Sequence, residues 1–121
     1  MKKILIVDDK ASISDLLTRF LSSKYEVEVR SDGMEALMWL QEGNIPDLIL
    51  TDLQMPNMDG LELIGKVKTS GYFSDVPIIV LSSKDSSSDR IQCLKAGAED
   101  YIMKPFNPEE LLIRIEKVLG R

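Results

Sequence analysis

Ile4-Leu5-Ile6-Val7-Asp8-Asp9 opens the chain with four apolar residues that stop at two carboxylates. A run that is apolar at every position has no face for water, so it belongs in the middle of a parallel sheet covered on both sides. The pattern returns twice. Leu48, Ile49 and Leu50 lead into Thr51-Asp52, and residues 78–81, Ile-Ile-Val-Leu, lead into Ser82-Ser83. Two further segments differ: Tyr25-Glu26-Val27-Glu28-Val29-Arg30 alternates, and Tyr101-Ile102-Met103 is short and closely flanked by polar residues. These read as edge strands beside three central ones.

Between the strands lie helical patterns. Ile13, Leu16, Leu17, Phe20 and Leu21 line one face at helical spacing, and Leu111, Leu112, Ile115, Val118 and Leu119 repeat the arrangement near the C-terminus. Asp59 with Glu62 and Asn107 with Glu110 have the spacing of capping boxes, Pro108 suits a first helical position, and Gly43, Gly97 and Gly120 mark helix ends. Met34, Met38 and Trp39 read as packing residues of the second helix. The fourth helix, residues 88–96, offers the core only Ile91, Leu94 and Ala96 or Ala98, with Cys93 off that face and partly exposed. Ser86-Ser87-Ser88 before it is a local polar patch. Five strand-helix units with short connections give an α/β fold, a doubly wound (βα)5 sandwich whose five-stranded parallel sheet has the order 2-1-3-4-5 with helices on both faces. Residues 1–121 are expected to form one domain, a length sufficient for a real core.

Composition narrows the chemistry. A formal charge of -5 opposes direct binding to nucleic acid or anionic membrane. The single cysteine excludes an internal disulfide, and the first apolar run is too short for a membrane span, so a reducing cytoplasm is the expected location. With no histidine, imidazole-based zinc sites, Ser-His-Asp catalysis and phosphohistidine chemistry from within the chain are excluded. Carboxylates, hydroxyls and lysines remain.

In an open parallel sheet, functional groups collect beyond the carboxyl ends of the strands. There the first strand supplies Asp8 and Asp9, the third Asp52, the fourth Ser82 and the fifth Lys104. Each alone has an ordinary reading as a cap, a turn residue or a surface lysine; together, at four strand ends, they form a constellation. Crowded carboxylates repel unless a cation neutralises them, and Mg2+ takes hard oxygen ligands and joins carboxylates to phosphate. An aspartate nucleophile beside a metal, a lysine and a hydroxyl is a phosphoryl-transfer arrangement.

These residues resemble the response-regulator receiver family of two-component signalling, and the resemblance runs along essentially the whole chain. It is carried by Asp8-Asp9, by Asp52-Leu53-Gln54-Met55-Pro56-Asn57-Met58-Asp59-Gly60, by Ser82, by Tyr101 and by Lys104-Pro105-Phe106. The resemblance implies that Asp52 accepts a phosphoryl group from a histidine kinase or histidine phosphotransfer protein. It further implies Mg2+ held by Asp9, Asp52 and the main-chain carbonyl of Gln54, with Asp8 acting through water. Lys104 and Ser82 would hold phosphoryl oxygens, and Tyr101 would turn inward as the face of the fourth helix, fifth strand and fifth helix repacks for a downstream effector. Such a domain signals rather than turning over a substrate, catalysing only its own phosphotransfer and slow self-dephosphorylation. A cis Lys104-Pro105 bond belongs to the same expectations. Apart from the resemblance, the acidic start of the fifth helix with Arg114 or Lys117 offers a symmetric, phosphorylation-dependent homodimer, with solvated surface charges as the default reading. Lys10, Ser83 and the side chain of Gln54 depart from the family pattern without removing a required atom.

An Asp-x-Asp phosphatase is disfavoured because Gln54 stands where the second acid is needed, and a flavin phosphate would be repelled by Asp8 and Asp9. The alternative with most weight is a receiver fold used as a docking module and not phosphorylated in normal use.

Overall fold

The computed structural model describes residues 1–83 and 87–120. The elements follow one another as β1 (Lys3–Val7), α1 (Ala11–Leu21), β2 (Glu26–Arg30), α2 (Gly33–Gln41), β3 (Leu48–Thr51), α3 (Gly60–Lys68), β4 (Ile78–Ser82), α4 (Ser87–Ala96), β5 (Asp100–Met103) and α5 (Pro108–Leu119). The five strands form one parallel sheet of order β2-β1-β3-β4-β5. The chain steps outward from β1 to β2, then crosses to β3, so the rim between β1 and β3 is the switch point. Of the serine patch, Ser87 and Ser88 open α4, and Ser86 lies outside the described residues.

The three apolar runs are buried at every position because helices cover both faces. Alternation within them sorts the side chains. Leu5, Val7, Ile49, Ile78 and Val80 join a core with α2, α3 and Cys93 of α4, whereas Ile4, Ile6, Leu48, Leu50, Ile79 and Leu81 join one with α1 and α5. Each fully buried aliphatic side chain contributes about 1.5–3 kcal/mol by transfer alone. Caps fix the helix starts as expected. Asp59 accepts the Glu62 amide, and Asn107 accepts the amides of Glu109 and Glu110. Gly43 and Gly97, just past α2 and α4, take φ of 103° and 121°, a region costly for any residue with a Cβ.

Three expectations are corrected. Leu16 is 52% exposed, because the inward stripe of α1 runs through Ser14, Leu17 and Leu21 and leaves Leu16 on its flank. Ser14 tolerates burial because its hydroxyl donates to the Ala11 carbonyl. On α2, Trp39 is buried with Lys3 and Arg30 against its ring, at 5.8 and 5.6 Å from the centroid, but Met34 and Met38 are exposed. On α4 the assignment is reversed for Ile91, Leu94 and Cys93, while Ala96 and Ala98 do meet the core. Ile91 and Leu94 face outward, whereas Cys93 is 1% exposed and is the only buried residue of the helix. Cys93 and half-buried Ala96, three apart, share the inward face. Cys93 shares its core cluster with Leu53, Met58 and Tyr101.

Candidate functional site

The strand ends converge as expected. Asp8 follows β1, Asp52 follows β3, Ser82 ends β4 and Lys104 follows β5, and parallel register carries all four to one rim. One carboxylate oxygen from each of Asp8, Asp9 and Asp52 lies within 4.8 Å of the others. Asp8 and Asp52 are buried, and Asp9 stands at the mouth.

Lys104 threads into this group with its side chain only 13% exposed, its ammonium 3.0 Å from Asp8 Oδ2 and 3.5 Å from Asp52 Oδ1. Asp8 Oδ1 accepts the Lys10 amide at 2.9 Å, which fixes the carboxylate at both ends. The Lys10 side chain points to solvent, with its ammonium 3.8 Å from Asp9. Asp52 Oδ1 accepts the Leu53 amide at 2.8 Å, so among the described residues Oδ2 carries no protein hydrogen bond. Burial pushes the Asp52 carboxyl above its ordinary value; the Lys104 ammonium opposes that rise, and the Asp8 carboxylate adds to it.

Ser82 is buried at the end of β4, and the Lys104 amide donates to its carbonyl at 2.8 Å, so hydroxyl and ammonium are mounted on one backbone ladder. Tyr101 is 8% exposed, turned inward into the core cluster that also holds Leu53, Cys93 and Ala98. Burial raises its phenol, and a side-chain hydrogen bond with Ser82 opposes that shift. The Lys104-Pro105 bond is cis. Gln54 lies two residues beyond Asp52 on the exposed segment leading to α3. Arg114 is engaged within its own chain, 2.7 Å from Asp100 and 3.0 Å from Glu110.

Asp32 and Asn57 were not singled out by sequence reasoning as site residues. Asp32 precedes α2 as its N-cap, yet its second oxygen accepts from Asn57 on the loop that follows Asp52. The cap signature was readable; a partner 25 positions away was not.

A cation fits this donor set. The ligating atoms are hard carboxylate oxygens, and three carboxylates meet two ammonium groups, Lys104 against Asp8 and Asp52 and the exposed Lys10 beside Asp9, so negative charge is in excess. Among the described residues, no helix is long and apolar enough to cross a membrane.

The family model described as response regulator receiver domain matches residues 4–116. A relative named response regulator MprA, from Mycobacterium sp. (strain KMS), is 45% identical over 120 residues, 98% of this chain. The same alignment covers 51% of that relative, so the chain spans about half the length of the curated relatives it matches. Among solved structures, the chemotaxis response regulator CheY4 of Vibrio cholerae superposes with a TM-score of 0.89 at 36% identity, covering 98% of each chain. The receiver domain of sensor histidine kinase PA1611 from Pseudomonas aeruginosa PAO1 has a TM-score of 0.90 at 31% identity, covering 99% of this chain and 98% of that one; it was solved with a magnesium ion coordinated in its active site cleft.

Proposed function

The chain belongs to the response regulator receiver domain family of two-component signalling, and from that premise we propose that Asp52 is its phosphoacceptor in a Mg2+-dependent reaction. The observation carrying this reading is the convergence of carboxylate oxygens of Asp8, Asp9 and Asp52 within 4.8 Å of one another, with the Lys104 ammonium against Asp8 and Asp52. Asp52 Oδ2, the carboxylate oxygen left over by the Leu53 amide, attacks the phosphorus of a phosphohistidine on a partner kinase or phosphotransfer protein. The O–P bond forms, the N–P bond breaks, and the electron pair leaves with the imidazole nitrogen, which solvent protonates. Asp9, Asp52 and the Gln54 carbonyl would hold Mg2+ directly, with Asp8 acting through water; the ion supplies neutralising charge for the phosphoryl oxygens. Lys104 supplies the second positive charge, and the Ser82 hydroxyl donates to a third oxygen. Attack by water on phosphorus reverses the modification slowly and regenerates the Asp52 carboxylate.

Signal output follows from how the site is mounted. Ser82 ends β4 on the same rim as Asp52 and shares a side-chain hydrogen bond with Tyr101, and Tyr101 lies in one core cluster with Cys93 of α4. A phosphoryl group that draws in Ser82 biases Tyr101 and α4 toward one arrangement. Ile91 and Leu94 on α4 and Ile113 on α5 are large apolar residues left exposed, which supports the α4-β5-α5 side as the face met by an effector. Residues 1–121 act as a single receiver unit in this reading, working in the cytoplasm with a histidine kinase upstream. Asp100 and Glu110 hold Arg114 within its own chain, so a homodimer through that arginine would have to displace these pairs.

Incubation with a small phosphoryl donor and Mg2+ is expected to add the mass of one phosphate to the wild type and none to Asp52→Asn. Equal behaviour of the two proteins would favour a docking module that does not use the chemistry.

A further inference from the structure

The loop after Asp52 is held from a second side. Asp32 is buried at the N-cap of α2 and divides its oxygens: Oδ1 accepts the Glu35 amide at 2.9 Å, and Oδ2 accepts Asn57 Nδ2 at 2.8 Å. Next to it the Gly33 amide donates to the Met58 carbonyl at 3.0 Å. The approach is so close that a Cβ on Gly33 would sit 2.6 Å from that carbonyl oxygen. Asn57 itself takes φ of 67°, a conformation asparagine tolerates better than most residues, and the Met58 amide closes the turn onto the Pro56 carbonyl at 2.7 Å. At the other end of the loop, the Gly60 amide donates to the Leu53 carbonyl at 2.8 Å.

Between these anchors run Gln54, Met55 and Pro56, with Gln54 and Pro56 exposed. A main-chain carbonyl in so short a span takes its position from the two ends. Capping α2 requires one oxygen of Asp32, and the Glu35 amide takes it. The other oxygen binds the loop, and an anionic acceptor makes that bond stronger than a neutral one. We propose that Asp32 and Asn57 are positioning residues that clamp the loop following Asp52, so that the Gln54 carbonyl stays in place for the magnesium ion. The proposal rests on the reading of Asp52 as a Mg2+-dependent acceptor.

The test is calorimetric titration of Mg2+ into wild type, Asn57→Gly, Asn57→Asp and the exchange Asp32→Asn with Asn57→Asp, with thermal unfolding recorded for each. Glycine keeps the left-handed backbone without steric cost and deletes the side chain, so affinity is expected to fall about tenfold, as for other groups that orient metal ligands. Asn57→Asp sets two carboxylates against each other. It is expected to bind more weakly than wild type although its extra negative charge alone would tighten cation binding. The exchange restores an amide-carboxylate pair with the roles reversed and the net charge of wild type, and should recover affinity to within about threefold. Should Asn57→Gly fail to fold, Asn57→Ser takes its place.

Unchanged affinity in the glycine variant, tighter binding by Asn57→Asp, or no recovery in the exchange would each overturn the clamp, while wild type that still binds Mg2+ and gains phosphate keeps the acceptor reading. Wild type that neither binds Mg2+ nor gains phosphate overturns both.

Discussion

Two buried carboxylates near the rim are displaced in opposite directions, and the difference has consequences for stability. Asp32 is held below its ordinary value, chiefly by the Glu35 amide and next by Asn57. It stabilises the fold above its unfolded value of about 3.9, and that contribution is lost as pH falls through the lower folded value. Asp52 is raised by burial despite Lys104. Its native form binds more protons than the unfolded chain between the unfolded and folded values, so stability falls as pH climbs through that window and stays lowered above it. Asp52→Asn removes this burden. In EDTA at pH 7 the variant is expected to melt above wild type, with the gain disappearing below about pH 4. A variant that melts lower at pH 7 would mean that the Lys104 pairing outweighs burial at this site.

At the scale of elements, α4 is attached most lightly. Its interior contact is Cys93 with half-buried Ala96, whereas α3 buries Leu63, Ile64 and Val67, and α5 buries Leu111, Ile115 and Val118. Few buried contacts give a low free energy of local opening. The α4 amides are expected to exchange faster than those of α3 or α5, and a thiol reagent should modify Cys93 only at the rate at which α4 opens. Labelling as fast as a free thiol, or α4 protection equal to α5, would contradict this. The strands were legible in the sequence because burial on both faces leaves unbroken apolar runs, and the site followed because each run ends in a polar residue. The facing of α4 was not legible. Periodicity ranks side chains by hydrophobicity, so it put Ile91 and Leu94 inside, whereas the helix turns Cys93 and Ala96 to the core and leaves the two larger residues exposed. Leu16 failed for a related reason, since a helical stripe has an edge that the pattern does not locate. The Asp32–Asn57 bond joins two loops that no local rule connects.

For the whole molecule, the decisive quantity is the charge that folding concentrates at one rim. Asp8, Asp9 and Asp52 meet the Lys104 ammonium, held against Asp8 and Asp52, and the exposed Lys10 ammonium 3.8 Å from Asp9, leaving one formal negative charge in excess when all three acids are ionised. Unfolding separates them, so an ion bound only by the native arrangement stabilises the entire fold. At a Mg2+ concentration a hundredfold above the dissociation constant the gain is about 2.7 kcal/mol. Melting temperature should therefore rise steadily with added Mg2+, and Asp9→Ala should flatten that rise. Lys104→Met should steepen it. Its ammonium lies within a largely buried pair, and removing one partner from such a pair costs about 3 kcal/mol or more. The metal-free variant would start lower, and the ion would then recover a larger share, because it neutralises Asp8 and Asp52 where lysine no longer does. Thermal scans from EDTA into millimolar Mg2+ measure all three slopes. A flat wild-type response would remove the cation from the site, because acids this close cannot bind Mg2+ in the native state alone without raising its stability.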